Sequence, residues 1–203
     1  MKDNFFINSI FPTPVYSTNL NYNFSKNELN FLKKSERESN SFNTRTKNSY
    51  VLNNNLFKKL KLGIEQHIKN YSKKVLCSDD CVSLYITQSW FNFTKVNEGH
   101  HKHAHPNSFI SGVYYVNADI NHDKIFFLKG KHSFYRLKTK EWNLWNSEEW
   151  FFPVETGQLI LFPSDLQHYV QTKDDNNERI SLAFNVFLKG NLGNEETLTE
   201  LIL

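Results

Sequence analysis

The pattern of apolar and polar positions at the start of the chain predicts an extended segment and then a helix. Residues 5–20 are rich in apolar side chains, and Pro12 and Pro14 among them exclude a helix interior. Further on, Ser25 and Glu28 have the spacing of a capping box and stand in front of an apolar run. We therefore expect a helix to begin at Ser25.

A longer helix is predicted after a polar loop near residues 37–50. Over about residues 54–74, apolar side chains recur at spacings of three and four, which places them on one helix face: Phe57, Leu60, Ile64, Ile68 and Tyr71. Lysines are frequent in the same segment. We interpret them as the solvated face of a helix packed on a sheet rather than as a nucleic-acid or membrane patch.

From residue 82 onward, the apolar positions recur at every second residue, which is the period of a strand. Val82, Leu84 and Ile86 alternate with other side chains in this way. Short β-rich runs follow at residues 88–96, 109–117, 124–129, 133–137, 158–163, 167–172 and 179–188. Many short strands separated by turns predict an all-β sandwich or barrel.

We therefore expect a single, mainly β domain with two N-terminal helices that pack on one sheet. In this scheme, residues 1–80 supply an N-terminal strand and the helical support, and residues 81–190 form the β core. Residues 191–203 form a C-terminal tail. A chain of 203 residues is long enough to bury such a core without disulfides or a structural metal.

Composition and charge narrow the classes of partner and location. A formal net charge of +3 makes nucleic-acid binding a poor first interpretation, because such proteins are usually more strongly basic. No window approaches the roughly 20 apolar residues of a membrane span, and the N-terminus lacks the apolar stretch of a signal peptide. We therefore expect a cytoplasmic protein. Cys77 and Cys81 could form a labile thiol pair or half a zinc site, but we favour two ordinary cysteines near a turn.

The strongest chemical signal is a cluster of histidines, with four of the eight within residues 100–105. Alternate side chains of an extended chain share a face, so His101, His103 and His105 are expected to point the same way. Neutral imidazoles two residues apart can both reach one ion of Fe, Zn, Cu or Ni. A third ligand must come from elsewhere. His168 is the best candidate, because it follows a predicted strand after a short turn.

A candidate anion site lies close to His168 in the sequence. Arg179 follows eleven residues later, and Ser181 is two residues further along the same predicted strand. Side chains two apart on a strand project from one face. A guanidinium beside a hydroxyl, near a metal, is well suited to hold a carboxylate.

Taken in order, several motifs resemble those of the Fe(II)- and 2-oxoglutarate-dependent oxygenases, and most closely a group of small enzymes from marine phages and bacteria. The matching motifs lie at residues 11–16, 89–92, 103–108, 111–116, 157–164, 168 and 179–185. The likeness spans nearly the whole chain. Their ordered series is more specific than any single motif.

The resemblance implies a double-stranded β-helix, that is, a jelly-roll or cupin-like barrel of two antiparallel sheets with iron at its open end. It also implies Fe(II) and 2-oxoglutarate as cofactors and O₂ as cosubstrate, with 2-oxoglutarate converted to succinate and CO₂ while a substrate is oxidised. By resemblance, the metal ligands are His103, His105 and His168. The groups that bind the distal carboxylate of 2-oxoglutarate are Arg179, Ser181 and Tyr115, the last matching a tyrosine of prolyl hydroxylase-like members.

One position departs from the pattern of this superfamily. His105 stands where most members have a carboxylate, so three neutral imidazoles leave the full 2+ charge of the ion for bound 2-oxoglutarate to balance. The exchange could alter metal affinity and metal identity. It leaves open that His101 and His103 are the true pair, or that an acidic residue completes the ligand set: Glu98, Asp119 or Asp165.

The substrate itself is expected to be an unidentified small molecule or peptide. Residues 139–152 contain three tryptophans, and this segment is either a lid or substrate platform or a hairpin that packs on the barrel. We assign Asn107, Trp142 and Trp145 to substrate contact. A homodimer is compatible with the sequence.

Two other functions stay open at the level of the sequence. A cupin-like protein with three histidine ligands could use its metal without 2-oxoglutarate. Alternatively, the fold could serve as a non-catalytic binding module, for example a structural component of a phage. A phage-encoded enzyme would act in the cytoplasm of its host.

Overall fold

A computed structural model describes residues 5–130, 135 and 137–203 of the chain. The predicted strand at residues 133–137 lies largely outside the described residues. Within them, no helix is long and apolar enough to cross a membrane.

The helices confirm the predicted periodicity. Helix α1 (Lys26–Lys34) is capped by Ser25, whose side chain accepts from the backbone N–H of Glu28 while the Glu28 carboxylate accepts from that of Ser25. Helix α2 (Lys58–Tyr71) is preceded by two 3₁₀ turns and continues into a π-helical turn. The predicted apolar face of this helix is buried: Leu60, Ile64, Ile68 and Tyr71.

The rest of the chain is mainly β, as predicted. The strands are β1 (Tyr16–Asn19), β2 (Arg37–Ser39), β3 (Thr44–Thr46), β4 (Val82–Thr94), β5 (His100–His103), β6 (Ile110–Asn117), β7 (Lys124–Leu128), β8 (Glu149–Pro153), β9 (Gln158–Pro163), β10 (His168–Val170), β11 (Arg179–Leu192) and β12 (Leu201–Ile202). The polar loop expected near residues 37–50 instead contains the hairpin β2–β3.

These strands form two antiparallel sheets. The main sheet has the order β1-β9-β6-β11-β4-β3-β2, with β12 attached to β11, and the minor sheet has the order β5-β10-β7-β8. This is the layered arrangement of a jelly-roll, although strand pairing among the described residues does not close it into a barrel.

The two faces of the main sheet carry different side chains because successive residues of a strand point to opposite sides. On one face, α1 and α2 pack against buried apolar residues of the central strands: Phe91, Phe93, Leu159, Leu161, Leu182 and Phe184. The predicted packing of the helices on one sheet is therefore confirmed. The alternate residues of the same strands point toward the minor sheet and line a cavity: Trp90, Asn92, Arg179, Ser181 and Ala183.

Candidate metal centre

The structure brings His103, His105 and His168 together at the inner end of this cavity. One ring nitrogen of each lies within 4.8 Å of those of the other two. Their ring centres are 4.3 Å (His103–His168), 5.0 Å (His103–His105) and 5.2 Å (His105–His168) apart. Metal–nitrogen bonds of about 2.0–2.1 Å place imidazole rings on one ion about 5 Å apart, so the spacing fits a shared ion.

Strand pairing explains how distant parts of the chain meet here. His103 at the end of β5 lies directly opposite His168 at the start of β10. The side chains of directly opposed residues on neighbouring strands are close together. His105 lies beyond the end of β5, and its backbone N–H donates to the carbonyl oxygen of Ser164 at 2.9 Å. That bond holds His105 next to the loop that leads into β10.

Backbone carbonyls fix the orientation of two of the rings. His103 Nδ1 is 2.8 Å from the carbonyl oxygen of His101, and His168 Nδ1 is 3.1 Å from that of Leu166. A carbonyl oxygen can only accept, so each Nδ1 carries the proton and donates it. The lone pair of each ring is then on Nε2, which is the arrangement that second-shell hydrogen bonds give to metal-binding histidines.

The environment keeps the three imidazoles neutral. Burial, reinforced by the neighbouring histidines, lowers the pKa of His168 to about 3 and that of His105 to about 4. Burial also lowers the pKa of His103. Neutral imidazole is the form that coordinates a metal, so the site needs no deprotonation near neutral pH.

A buried cationic site forms the neighbouring wall of the same cavity. Arg179 is 4% exposed, Ser181 8% and Tyr115 2%. Tyr115 on β6 lies opposite Ser181 on β11, and Arg179 lies two residues before Ser181 on the same face. Burial raises the pKa of the Tyr115 hydroxyl, so this group is protonated and can donate a hydrogen bond. The three residues can therefore bind a carboxylate together.

Two charged residues that the sequence did not single out hold Arg179 in place. Arg179 Nη1 donates to Asp123 Oδ1 at 3.2 Å, and Lys173 Nζ donates to the same oxygen at 3.1 Å. Lys173 also forms an ion pair with Asp175. The side chains of Asp123 and Lys173 are each only 1% exposed. Both residues lie in polar turns flanking strands, where charged side chains are common, so the sequence carried no signal for this network.

The whole cavity has a volume of about 350 Å³. One wall of it, here called the outer wall, is polar and is contributed mainly by β4 and the β2–β3 region. Its side chains are Asn40, Asn43, Arg45, Ser49, Gln88, Asn92 and Thr94. The guanidinium of Arg45 is paired with Glu38 at 2.5 Å, so its charge is compensated. The sequence did not predict this wall, because the β2–β3 segment lacks the alternation typical of a strand.

Other predicted site residues lie elsewhere. Asn107 has a φ of 55° in the exposed turn after His105, and it does not line the cavity. Trp142 is 64% exposed, and Trp145 lines a separate cavity with Phe11 and Trp150. None of these three residues lines the metal cavity, and their contact with a substrate stays a prediction.

The alternative metal ligands that the sequence left open do not belong to the group of His103, His105 and His168. His101 is exposed and belongs to a second histidine group with His100 and His103. In the part of the chain that the structure describes, no carboxylate joins His103, His105 and His168. Glu98 instead accepts from the backbone N–H of Lys95 in a turn. Cys77 and Cys81 are free and exposed.

Comparison with known proteins agrees with this arrangement. Residues 88–185 match the model of a family described as "Putative 2OG-Fe(II) oxygenase". This range contains all three histidines, Tyr115, Arg179 and Ser181. No curated protein matches the sequence. The predicted resemblance to 2-oxoglutarate/Fe(II) oxygenases is thereby confirmed over residues 88–185.

Solved structures share the fold at low sequence identity. HygX from Streptomyces hygroscopicus, in a structure with nickel, 2-oxoglutarate and hygromycin B, has a TM-score of 0.61 at 11% identity, covering 86% of this chain and 82% of its own. An oxidoreductase of the 2OG-Fe(II) oxygenase family from Burkholderia pseudomallei has a TM-score of 0.54 at 14% identity, covering 80% and 79%. The epimerase SnoN of nogalamycin biosynthesis has a TM-score of 0.56 at 11% identity, covering 80% of this chain and 72% of its own.

Proposed function

With residues 88–185 matched to the 2OG-Fe(II) oxygenase family, we propose that the chain uses Fe(II), 2-oxoglutarate and O₂ to oxidise a substrate. The observation that carries the proposal is the position of three neutral imidazoles in one cavity with a buried guanidinium. A metal ion and a dicarboxylate would both find a binding group there, and each group is already oriented by its own hydrogen bonds.

In this proposal, the metal is held through the Nε2 atoms of His103 and His168 together with His105. Bound Fe(II) with 2-oxoglutarate supplies the oxidising chemistry, in which O₂ is consumed and succinate and CO₂ are formed. The protein contributes ligands, orientation and a cavity that excludes bulk water. Arg179, Ser181 and Tyr115 bind the distal carboxylate, with the protonated Tyr115 hydroxyl as a donor.

Charge balance favours joint binding of the two cofactors. Three neutral ligands leave the 2+ charge of the ion uncompensated in a buried site, where isolated charge is costly. A 2-oxoglutarate dianion offsets that charge. We therefore expect 2-oxoglutarate to increase the affinity for the metal, and the metal to increase the affinity for 2-oxoglutarate by the same factor.

An anaerobic titration tests the proposal directly. Metal-free protein mixed with Fe(II) and 2-oxoglutarate should develop the weak visible charge-transfer band of a chelated complex, and admission of O₂ should yield succinate. His168→Ala should abolish the band, whereas His122→Ala, which changes an exposed histidine away from the cavity, should retain it. A folded, iron-loaded protein without the band would contradict the proposal.

The all-imidazole ligand set supports one other candidate function. Three histidines are also the ligands of zinc hydrolases, and such a protein would act without 2-oxoglutarate. Arg179→Ala separates the two possibilities. It should greatly weaken 2-oxoglutarate binding and succinate formation in an oxygenase, but it should leave metal-dependent hydrolysis unaffected in the alternative.

We further propose that the substrate contacts the outer wall formed by β4 and the β2–β3 region. This wall is the part of the cavity beyond the carboxylate site, and its polar groups are neutral or paired. Gln88 is exposed at its edge. Gln88→Ala should therefore leave the charge-transfer band and 2-oxoglutarate affinity unchanged while altering substrate-dependent succinate formation.

A further inference from the structure

A second group of three histidines, here called the mouth group because its member His101 is exposed, lines the same cavity. One ring nitrogen of each of His100, His101 and His103 lies within 4.8 Å of those of the other two. Their ring centres are 4.8 Å (His100–His101), 4.5 Å (His100–His103) and 4.9 Å (His101–His103) apart. These separations match the roughly 5 Å expected for imidazoles on one ion as well as those of the inner group do.

An irregular strand makes this convergence possible. In a regular strand, His100 would point away from His101 and His103. The pairing of β5 with β10, however, shifts register between His168 and Val170. His100 consequently also lines the cavity. Its Nδ1 is buried and has no hydrogen-bond partner among the residues the structure describes, which is an unfavourable state that a ligand would relieve.

Both groups depend on His103. Because its Nδ1 is 2.8 Å from the carbonyl oxygen of His101, it donates there and leaves one lone pair on the ring. One lone pair can bind only one metal ion. An ion held by His100, His101 and His103 would therefore deprive His105 and His168 of their third partner.

We propose that His100, His101 and His103 form a second coordination position for a divalent late transition metal, in competition with the inner position. Ni(II), Cu(II) and Zn(II) are the expected occupants, because imidazole suits them and their affinity for nitrogen sites exceeds that of Fe(II). An ion bound at the mouth position therefore prevents the inner position from binding a metal. This consequence for activity rests on the proposed function, whereas the binding itself does not.

Titration of metal-free protein with Ni(II), followed by calorimetry, tests the proposal. Wild type should bind one equivalent. His105→Ala, which leaves only the mouth group complete, and His101→Ala, which leaves only the inner group complete, should each still bind one equivalent. The double variant His101→Ala/His105→Ala should bind at least about 100-fold more weakly, since even the loss of supporting groups around a metal costs 10–100-fold.

Two controls accompany this titration. His122→Ala removes a separate group, formed with Asp174 and Asp175, that does not line the metal cavity, and it should leave Ni(II) binding unchanged. His101 is exposed, so its replacement should not disturb folding. Circular dichroism verifies the His105→Ala protein, and His105→Gln serves as the second variant for this position.

The possible outcomes separate this inference from the proposed function. If His105→Ala binds Ni(II) as weakly as the double variant, the mouth position does not exist. If wild type binds two equivalents of Ni(II) and His101→Ala binds only one, the two positions are independent and the proposed competition for His103 does not occur. Adding 2-oxoglutarate should strengthen Ni(II) binding in His101→Ala but not in His105→Ala. If it strengthens binding in neither, the proposed function fails while the two-position inference stands.

Discussion

At the scale of single residues, Asp123 controls how Arg179 faces the cavity. Its Oδ1 accepts from both Arg179 and Lys173 in a buried position, so the guanidinium is anchored by one nitrogen. An arginine has five N–H donors, and its other side remains oriented toward an incoming carboxylate. Asp123 is therefore a positioning residue that acts through Arg179.

Asp123→Asn should weaken 2-oxoglutarate binding by about tenfold, since a hydrogen bond to a charged group is worth about 1.5–3 kcal/mol. The affinity for 2-oxopentanoate, which chelates the metal but lacks the distal carboxylate, should not change. Anaerobic titrations of the charge-transfer band with the two acids measure both values. If Asp123 had a purely structural role, its replacement would weaken the binding of both acids equally.

Asp119→Asn provides the matched control, because it removes a nearby acidic group that has no contact with Arg179. If Asp123→Asn does not fold, the double variant Asp123→Asn/Lys173→Met also removes the buried lysine that has lost its Asp123 partner, and it tests the same contact. Equal 2-oxoglutarate affinity in wild type and a folded Asp123 variant would show that Arg179 needs no anchor.

The histidines could be found from the sequence, whereas Asp123 and Lys173 could not. Four imidazoles within residues 100–105 are far more than average histidine usage would place there, and His168 and Arg179 begin two strands that are consecutive in the sequence. A buried charge network is different. Its members are recognisable only when the fold removes them from water, and in the sequence they resemble the acidic and basic residues of any turn.

At the scale of elements, the stability of the N-terminus of helix α1 depends on the side chain of Glu28. Burial would raise the pKa of this carboxyl, but hydrogen bonds from Ser25 and Tyr22 lower it overall. A carboxyl whose pKa is lower in the folded state stabilises the fold above its unfolded pKa, and this contribution is lost as the pH falls through the folded value.

Glu28→Gln keeps an oxygen that can accept from Ser25 but removes the charge, so it should destabilise the protein by about 1 kcal/mol at pH 7, the usual difference between a hydrogen bond to a charged group and one to a neutral group. The difference from wild type should begin to shrink as the pH falls below the ordinary pKa of glutamate, and it should vanish below the lowered folded pKa, where the wild-type carboxyl is protonated as well. Urea unfolding at pH 7 and at acidic pH measures this. A difference that stays constant with pH would contradict the role of the charge.

Close approach between β6 and β11 depends on Gly112. A Cβ at this position would lie 2.1 Å from a ring carbon of Phe184, its partner across the strands. Gly112→Ala should destabilise the protein by about 1–3 kcal/mol, the usual cost of overpacking a core. Adding Phe184→Leu should recover part of that loss in urea unfolding. No recovery would indicate that the ring of Phe184 is not what requires glycine at position 112.

Elements with a strong period could be predicted, and polar ones could not. Helix α2 and strands β4 and β11 each carry an apolar repeat that only one secondary structure places on a single face, and β9 is a short apolar run between turns. Hairpin β2–β3 has none, because it lies at the sheet edge and presents Asn43 and Arg45 to a polar cavity. Its formation depends on pairing with β4, which is a long-range contact.

At the scale of the whole molecule, the proposed cofactors connect the two sheets. His103 and His168 belong to the minor sheet, whereas Arg179, Ser181 and Tyr115 belong to the main sheet. In the proposed function, a metal with bound 2-oxoglutarate would span the gap between them and would bind only the folded protein. Such binding stabilises the fold by about 2.7 kcal/mol when the ligand is present at 100 times its Kd.

For a chain of this size, that stabilisation should raise the Tm by about 5–10 °C. Thermal unfolding under anaerobic conditions should show this rise with Ni(II) and 2-oxoglutarate together. In Arg179→Met, Ni(II) alone should still raise the Tm, because the histidines are intact, but 2-oxoglutarate should add little, because the contact with the main sheet is gone. An equal effect of 2-oxoglutarate in wild type and Arg179→Met would mean that the cosubstrate binds the metal without bridging the sheets, and the proposed carboxylate site would then be wrong.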